Sequence, residues 1–291
     1  RPISVADGSA GDATCEWTMP QTTSPASSIA TTFNRSSSLS MYRYGDSAAL
    51  RRAMKREIYD EDHAAFRDSV REFLNRSVLP NAERHAAEKA LPREFWTEAG
   101  KQGFLGLHIA EEYGGAGTDD YRFTAVLCEE LTRAYAALWL CVGIHADVTA
   151  GYLAKLGTEE QRQRWLPGVA SGELLLAIAM TEPSGGSDLA ALKTTAVRDG
   201  GQWVINGAKT FITNGCSADL VLTAVRTNPE KKARGITLFA VPATAEGFSR
   251  GRKLDKVGMD ESDTAELFFD NVRLTDEDIV GELDGGFVHM M

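Results

Sequence analysis

Two stretches of this chain gather residues that suit ligand chemistry: IAMTEPSGGSDLAA, starting at Ile178, and GAKTFIT, ending at Thr213. Thr181, Ser184, Ser187 and Thr213 supply hydroxyls that both donate and accept. Gly185 and Gly186 let the main chain approach a ligand closely and present its N–H groups. Phe211 adds an aromatic face. Such a set can surround a flat polar ring on one side and leave the other side open to a substrate. The same residues also describe a surface β-bulge rich in Ser and Gly beside a core Phe, and composition alone leaves both readings open.

Other chemistry-bearing residues are weaker candidates. Glu182 and Asp188 form a tempting carboxylate pair. His145 sits in an apolar stretch and reads as a satisfied core or pocket-lining histidine. Cys15, Cys128, Cys141 and Cys216 stand far apart, without a C-x-x-C pair or a His at metal spacing. They read as reduced thiols, and no metal site is expected. The net charge of -10 argues against nucleic acid as a partner, since phosphate-backbone affinity rests on clustered Lys and Arg. The most apolar stretch, Ala134–Ile144, reads as a buried helix too short to span a bilayer.

The elements that must position these residues fall into two halves. The 291 residues, 43% hydrophobic and 25% charged, suffice for two globular domains. Residues 1–53 are Ser/Thr/Ala/Gly-rich and aperiodic, a disordered or non-native leader, with a targeting peptide as the alternative. Residues 54–172 carry helical periodicity: Phe66, Val70, Phe73 and Leu74 share one face, and Pro80 is expected to end that helix. Pro92 opens another helix, Tyr121, Val126, Leu127 and Leu131 mark a third apolar face, and Thr158 with Gln161 forms a capping box.

From 173 to 284 the period changes to short apolar runs separated by Asp199-Gly200-Gly201, Asn206-Gly207 and Asn214-Gly215. Each pair suits a tight turn. The expected fold is therefore α+β: an all-α domain, then an antiparallel β-barrel or sandwich. Residues 285–291 read as the start of a further helical domain that the sequence does not contain.

A flavin ring has acceptors along its pyrimidine edge and at its redox-active nitrogen, so donors on a strand-to-loop bend suit it. The run from Ala179 to Asp188, with Ala191, resembles the middle-domain signature of the acyl-CoA dehydrogenase family. KQGFLGLHIAEEYGG, LGTEEQRQRWLP, GQWVINGAKTFITNG, GRKLDKVGMDESDTAELFFDNVRL and GELDGGF resemble the family in order and spacing. The resemblance covers Met54 to Met291 and looks nearest to the long-chain branch.

This resemblance implies FAD as cofactor, held by Ile178, Met180, Thr181, Gly186, Ser187, Phe211 and Thr213. It implies that Ser187, Ala233, Arg234 and Val288 line the path of an acyl-CoA substrate, although the KKAR loop reads equally well as a solvated basic turn. Glu182 and Asp188 become loop supports. The implied reaction is α,β-dehydrogenation of acyl-CoA thioesters, as in fatty acid β-oxidation. A Glu takes the α-proton while hydride passes to the flavin. That Glu is expected beyond Met291, so no residue here is assigned as catalytic base. An electron-transfer flavoprotein is the implied electron acceptor, and the full-length protein is expected to be a homo-oligomer. The alternatives are a non-catalytic flavin- or CoA-binding partner, and an oxygen-using acyl-CoA oxidase. The expected location is cytoplasmic, or the mitochondrial matrix if the leader is a transit peptide.

Overall fold

The computed structural model describes residues 57–291; the expected leader and Met54 lie outside the described residues. The helical half begins with α1 (Glu61–Phe73), whose first turn is capped by the Asp60 carboxylate accepting from the N–H groups of Asp62 and His63. Val70 and Phe73 are buried on its inner face. Pro80 does not end this helix. The chain runs on through a π turn (Leu74–Val78) and a 3-10 turn (Leu79–Asn81) into α2 (Ala82–Glu88). Pro80 falls in the first residues of the 3-10 turn, where its missing N–H is not needed.

Helix α3 (Arg93–Lys101) starts one residue after Pro92, and α4 (Arg122–Ala134) buries Val126, Leu127 and Leu131. Tyr121 is not part of that face: it is exposed, and its hydroxyl donates to Asp147 at 2.6 Å. Next, α5 (Ala136–Val142), a π turn (Gly143–Thr149) and α6 (Ala150–Leu156) form one helical run. At 21 residues it is, by length and composition only, long and apolar enough to cross a membrane, and so longer than the short segment expected from the sequence. Half of its most apolar 18-residue stretch is buried within the protein. Helix α7 (Glu159–Ser171) opens with the expected Thr158–Gln161 capping box.

Eight strands follow: β1 (Leu176–Ala179), β2 (Thr195–Asp199), β3 (Gln202–Thr213), β4 (Leu220–Arg226), β5 (Ile236–Pro242), β6 (Phe248–Lys253), β7 (Thr264–Leu274) and β8 (Ile279–Val280). They form one mostly antiparallel sheet in the order β6-β7-β3-β2-β4-β5-β8, with β1 added to β4. Strands β1 and β2 both run parallel to β4; β1 pairs along Leu220–Thr223, and β2 joins only through Thr195 opposite Arg226. Residues 180–194 therefore leave the sheet between two strands that share one neighbour. That departure creates the loop carrying the Gly-Gly pair.

Strands β4 and β5 are buried on both faces, which explains their continuous apolar sequences. Leu220, Leu222, Leu238 and Ala240 face a cluster with Leu153, Trp165, Leu166 and Val169 of α6 and α7. Val221, Val225, Phe239 and Val241 face Trp203, Ile205, Leu267 and Phe269. A third cluster fills the helical half around Phe73, Trp96, Phe104 and Leu131. The short helix α8 (Gly286–Met290) ends the chain.

Gly200-Gly201 makes the expected tight turn between β2 and β3, both residues having positive φ. Asn206-Gly207 makes no turn. It is a bulge inside the continuous strand β3, where Asn206 Oδ1 accepts from the Asn271 N–H of β7 at 2.9 Å. Gly207 has φ +151°, and a Cβ there would meet Thr194 Oγ1 at 2.5 Å. The polar strand β6 and the two-residue strand β8 carry no apolar pattern that sequence periodicity detects.

His145 joins the two halves. Its ring accepts from the Leu176 N–H at Nδ1 and donates from Nε2 to the Val169 carbonyl, both at 3.1 Å. Burial pushes its imidazole down to about 4, the Val169 bond opposing only in part. The unfolded chain binds a proton near pH 6.5 that the folded protein refuses until about 4. This contribution, about 3 kcal/mol, is complete above pH 6.5 and lost as pH falls towards 4. Urea unfolding of wild type between pH 7.5 and 4.5 should therefore fall more steeply than that of His145→Gln; equal slopes would contradict the assignment.

Candidate functional site

The site is built where the extension of β1 meets the end of β3. The Thr210 N–H donates to the Thr181 carbonyl at 2.9 Å, drawing the loop after β1 onto β3. Lys209 reinforces this from inside: its ammonium group donates to the Met180 carbonyl at 3.0 Å and to Glu182 Oε1 at 2.9 Å. Lys209 is fully buried. Glu182 also accepts from the N–H groups of Lys193 (2.5 Å) and Thr194 (2.9 Å) at the loop's far end. Burial alone would raise its carboxyl, but the Lys209 charge and these amides outweigh that and hold it below the usual carboxylate range. Burial pushes the Lys209 amine down from its ordinary value. Glu182 thus closes the loop as a structural support, and Asp188 lies exposed without joining it.

The register of β3 against β7 shifts between Lys209 and Ile212. In this bulge Phe211 adopts φ +59°, a left-handed conformation that costs a bulky side chain of the order of 1–3 kcal/mol. The consequence is directional. Thr210 and Ile212 stay buried while Phe211 is turned outward, 68% exposed. Beside it, Thr213 pairs with Thr264, and the following Asn214 donates from its amide to the Cys141 and Leu176 carbonyls at 3.0 and 3.2 Å.

Ile178 and Met180 are only partly buried and pack against the cluster that faces α6 and α7, so β1 offers a ligand chiefly its main chain. Gly186 lies against Thr181: a Cβ there would come within 3.1 Å of Thr181 Cγ2. Ser187 is exposed, and among the described residues the hydroxyls of Thr181, Ser187 and Thr213 have no hydrogen-bond partner. A strained outward aromatic, unpartnered hydroxyls and a glycine loop fit a flat heteroaromatic ligand. Burying such a ring here would cover Phe211 and satisfy those hydroxyls.

The structure brings two of the expected substrate residues into one cleft. Arg234, on a 3-10 turn (Lys232–Gly235), and Val288, on α8, line an open cleft of about 560 Å³ with Lys231 and Asp284. Ala233 lies partly buried in the same turn. Sequence reading missed Lys231 and Asp284. Their charges meet at 2.8 Å, and Thr227 donates to Asp284 at 2.6 Å. Partial burial would raise the Asp284 carboxyl, but Lys231 and Thr227 hold it below its ordinary value. Clefts of about 400 and 360 Å³ lie in the helical half and contain none of the expected site residues.

A helical half joined to a mostly antiparallel sheet, with an outward aromatic beside a glycine loop and an open cleft between Arg234 and Val288, makes a two-part scaffold. Known proteins specify it further. The family model described as acyl-CoA dehydrogenase, N-terminal domain, matches residues 60–173, and the one described as acyl-CoA dehydrogenase, middle domain, matches residues 177–272. The chain is 44% identical over 242 residues to the long-chain specific acyl-CoA dehydrogenase, mitochondrial, of Rattus norvegicus, across 81% of this chain and 55% of that protein. The crystal structure of acyl-CoA dehydrogenase from Geobacillus kaustophilus matches with TM-score 0.79 and 43% identity, over 81% of this chain and 62% of that one. That of a glutaryl-CoA dehydrogenase from Mycobacterium smegmatis in complex with FADH2 matches with TM-score 0.72 and 33% identity, over 77% and 56%.

The chain belongs to the acyl-CoA dehydrogenase family, whose members are FAD-dependent oxidoreductases. It spans a little over half the length of the curated relatives it matches, 55% in the rat case.

The loop's dependence on Lys209 has a measurable consequence. Lys209→Met strands the Glu182 carboxylate in the interior and should cost about 3 kcal/mol in urea unfolding. Adding Glu182→Gln should return part of that loss. A double variant less stable than Lys209→Met would contradict the pairing.

Proposed function

We propose that this chain carries the flavin seat and the CoA path of an enzyme that dehydrogenates acyl-CoA thioesters at the α,β bond. The observation that carries the reading is the β3 bulge: it spends backbone strain to aim Phe211 away from the core, next to the glycine loop. A structural Phe would turn inward. FAD, when bound, supplies the hydride acceptor.

The chain's own residues do the rest. The main chain of Ile178, Met180 and Thr181, with Gly186, Ser187 and Thr213, holds the flavin's polar edge. Phe211 would offer its exposed face to the bound ring and keep water from that side. Arg234 takes a phosphate of the CoA tail, with Ser187 and Ala233 bordering its course and Val288 beside the thioester. Residues 54–172 and residues 173–284 act as two domains, and the proton-accepting Glu enters from beyond Met291, in a domain begun at 285. An electron-transfer flavoprotein takes the electrons from a homo-oligomeric full-length enzyme. Support comes from the family membership and from the grouping of Arg234 with Val288 in one cleft.

Two outcomes test this. The chain extended to the length of its relatives should bind FAD and reduce a dye on addition of acyl-CoA, while the 291-residue chain should not turn over; steady turnover by the shorter chain would falsify the placement of the base. Phe211→Asn should unfold at the same urea concentration as wild type or higher, because Asn tolerates positive φ, yet bind FAD at least about tenfold more weakly. Unchanged FAD affinity in that variant would remove Phe211 from the site.

A further inference from the structure

Arg226, the last residue of β4, is placed where it touches both proposed ligand loops and no carboxylate. Its Nε donates to the Leu192 carbonyl at 3.1 Å, and one terminal nitrogen donates to Ala190 (2.6 Å) and Leu192 (3.0 Å). The other terminal nitrogen donates to the Lys232 carbonyl at 2.8 Å. Ala190 belongs to the 3-10 turn (Leu189–Ala191) that ends the glycine loop after Ser187. Lys232 opens the turn that presents Ala233 and Arg234. Among the described residues no acidic side chain pairs with Arg226, so the planar fork is used wholly to tie main chain to main chain.

Arg226 itself is held in place. Its N–H donates to the Thr194 carbonyl at 2.8 Å, and it pairs with Thr195 of β2 and Ile236 of β5. The turn it grips on the β5 side is closed on itself, so that it moves as a body: Thr227 and Asn228 both donate to the Gly235 carbonyl. A Cβ on Gly235 would meet the Asn228 carbonyl oxygen at 1.8 Å. Four hydrogen bonds from one half-buried guanidinium therefore make two turns, more than forty residues apart in sequence, move as one piece.

We propose that Arg226 is a positioning residue that couples flavin binding to CoA binding, because ordering either turn orders the other through its fork. This rests on the reading of the two turns as the flavin and CoA loops. The physical route is shared ordering: whichever ligand binds first meets the cost of fixing both turns, and the second binds to a turn already fixed. A lysine cannot replace the fork, since one ammonium group has no planar arrangement that spans three carbonyls on two turns.

The test is a binding cycle on the full-length protein. FAD affinity is measured by fluorescence quenching with and without a saturating non-oxidisable alkyl-CoA thioether. Wild type should bind FAD at least about fivefold more tightly when the thioether is present. In Arg226→Met this factor should fall to about one, and in Arg226→Lys to less than half the wild-type value. His145→Gln, which lowers stability without touching either turn, should keep the full factor; loss of coupling there would reduce the role of Arg226 to general stability and overturn the inference. If Arg226→Met does not fold, Arg226→Lys decides. Coupling at the wild-type level in the Arg226 variants, or independent binding in wild type, overturns the inference while leaving the functional reading intact. Failure of wild type to bind either ligand overturns both.

Discussion

An ammonium group in the protein interior sets the terms for the rest of the site. Lys209 is fully buried, and its charge is tolerable only because Glu182 and the Met180 carbonyl meet it at hydrogen-bond distance. These partners lie on the loop after β1, while Lys209 belongs to β3. Strand and loop thus have to be assembled together, because either alone would leave an uncompensated charge in the core. Glu182 extends the constraint by accepting from Lys193 and Thr194, which closes the loop at its other end. The glycine loop is thereby fixed at both roots, and Glu182 and Gly185 exchange main-chain hydrogen bonds between them.

The doubly buried strands β4 and β5 make that fixing effective. One face of this pair packs on α6 and α7 and the other on β3 and β7, so the helical half and the outer sheet share a single apolar layer. Polar ties reinforce the junction near the same strands. Arg93 of α3 grips Asp219 with two bonds of 2.6 Å, and Asp219 accepts from the Leu175 N–H just before β1. Asn214 bridges α5 to β1 at the foot of β3. The residues of the candidate site therefore stand on a base held from two sides.

Some of this was readable from the residues. Thr158 and Gln161 announce a helix start because a capping box is satisfied within four residues, and Gly200-Gly201 announces a hairpin for the same local reason. Asn206-Gly207 misleads because the same dipeptide serves a turn or a bulge. Pairing with Asn271, 65 positions away, decides between them. Pro80 misleads because a 3-10 turn has no use for the N–H it lacks. Lys209 and Arg226 escape notice because long basic side chains are ordinarily exposed, and the partners that draw them inward are mostly carbonyls, which no residue type advertises.

By itself the sequence determined the helical and stranded halves, the hydroxyl-and-glycine composition of the candidate site, and the resemblance that the family models bear out. These depend on local periodicity, local capping and residue identity, all of which are carried along the chain. Tertiary structure alone decided that Phe211 faces outward, that Arg234 and Val288 line one cleft, and that one guanidinium joins two distant turns. The reason is physical: a side chain's direction within a bulge and the partners of a buried charge depend on register between strands, and register is a property of pairing across the fold.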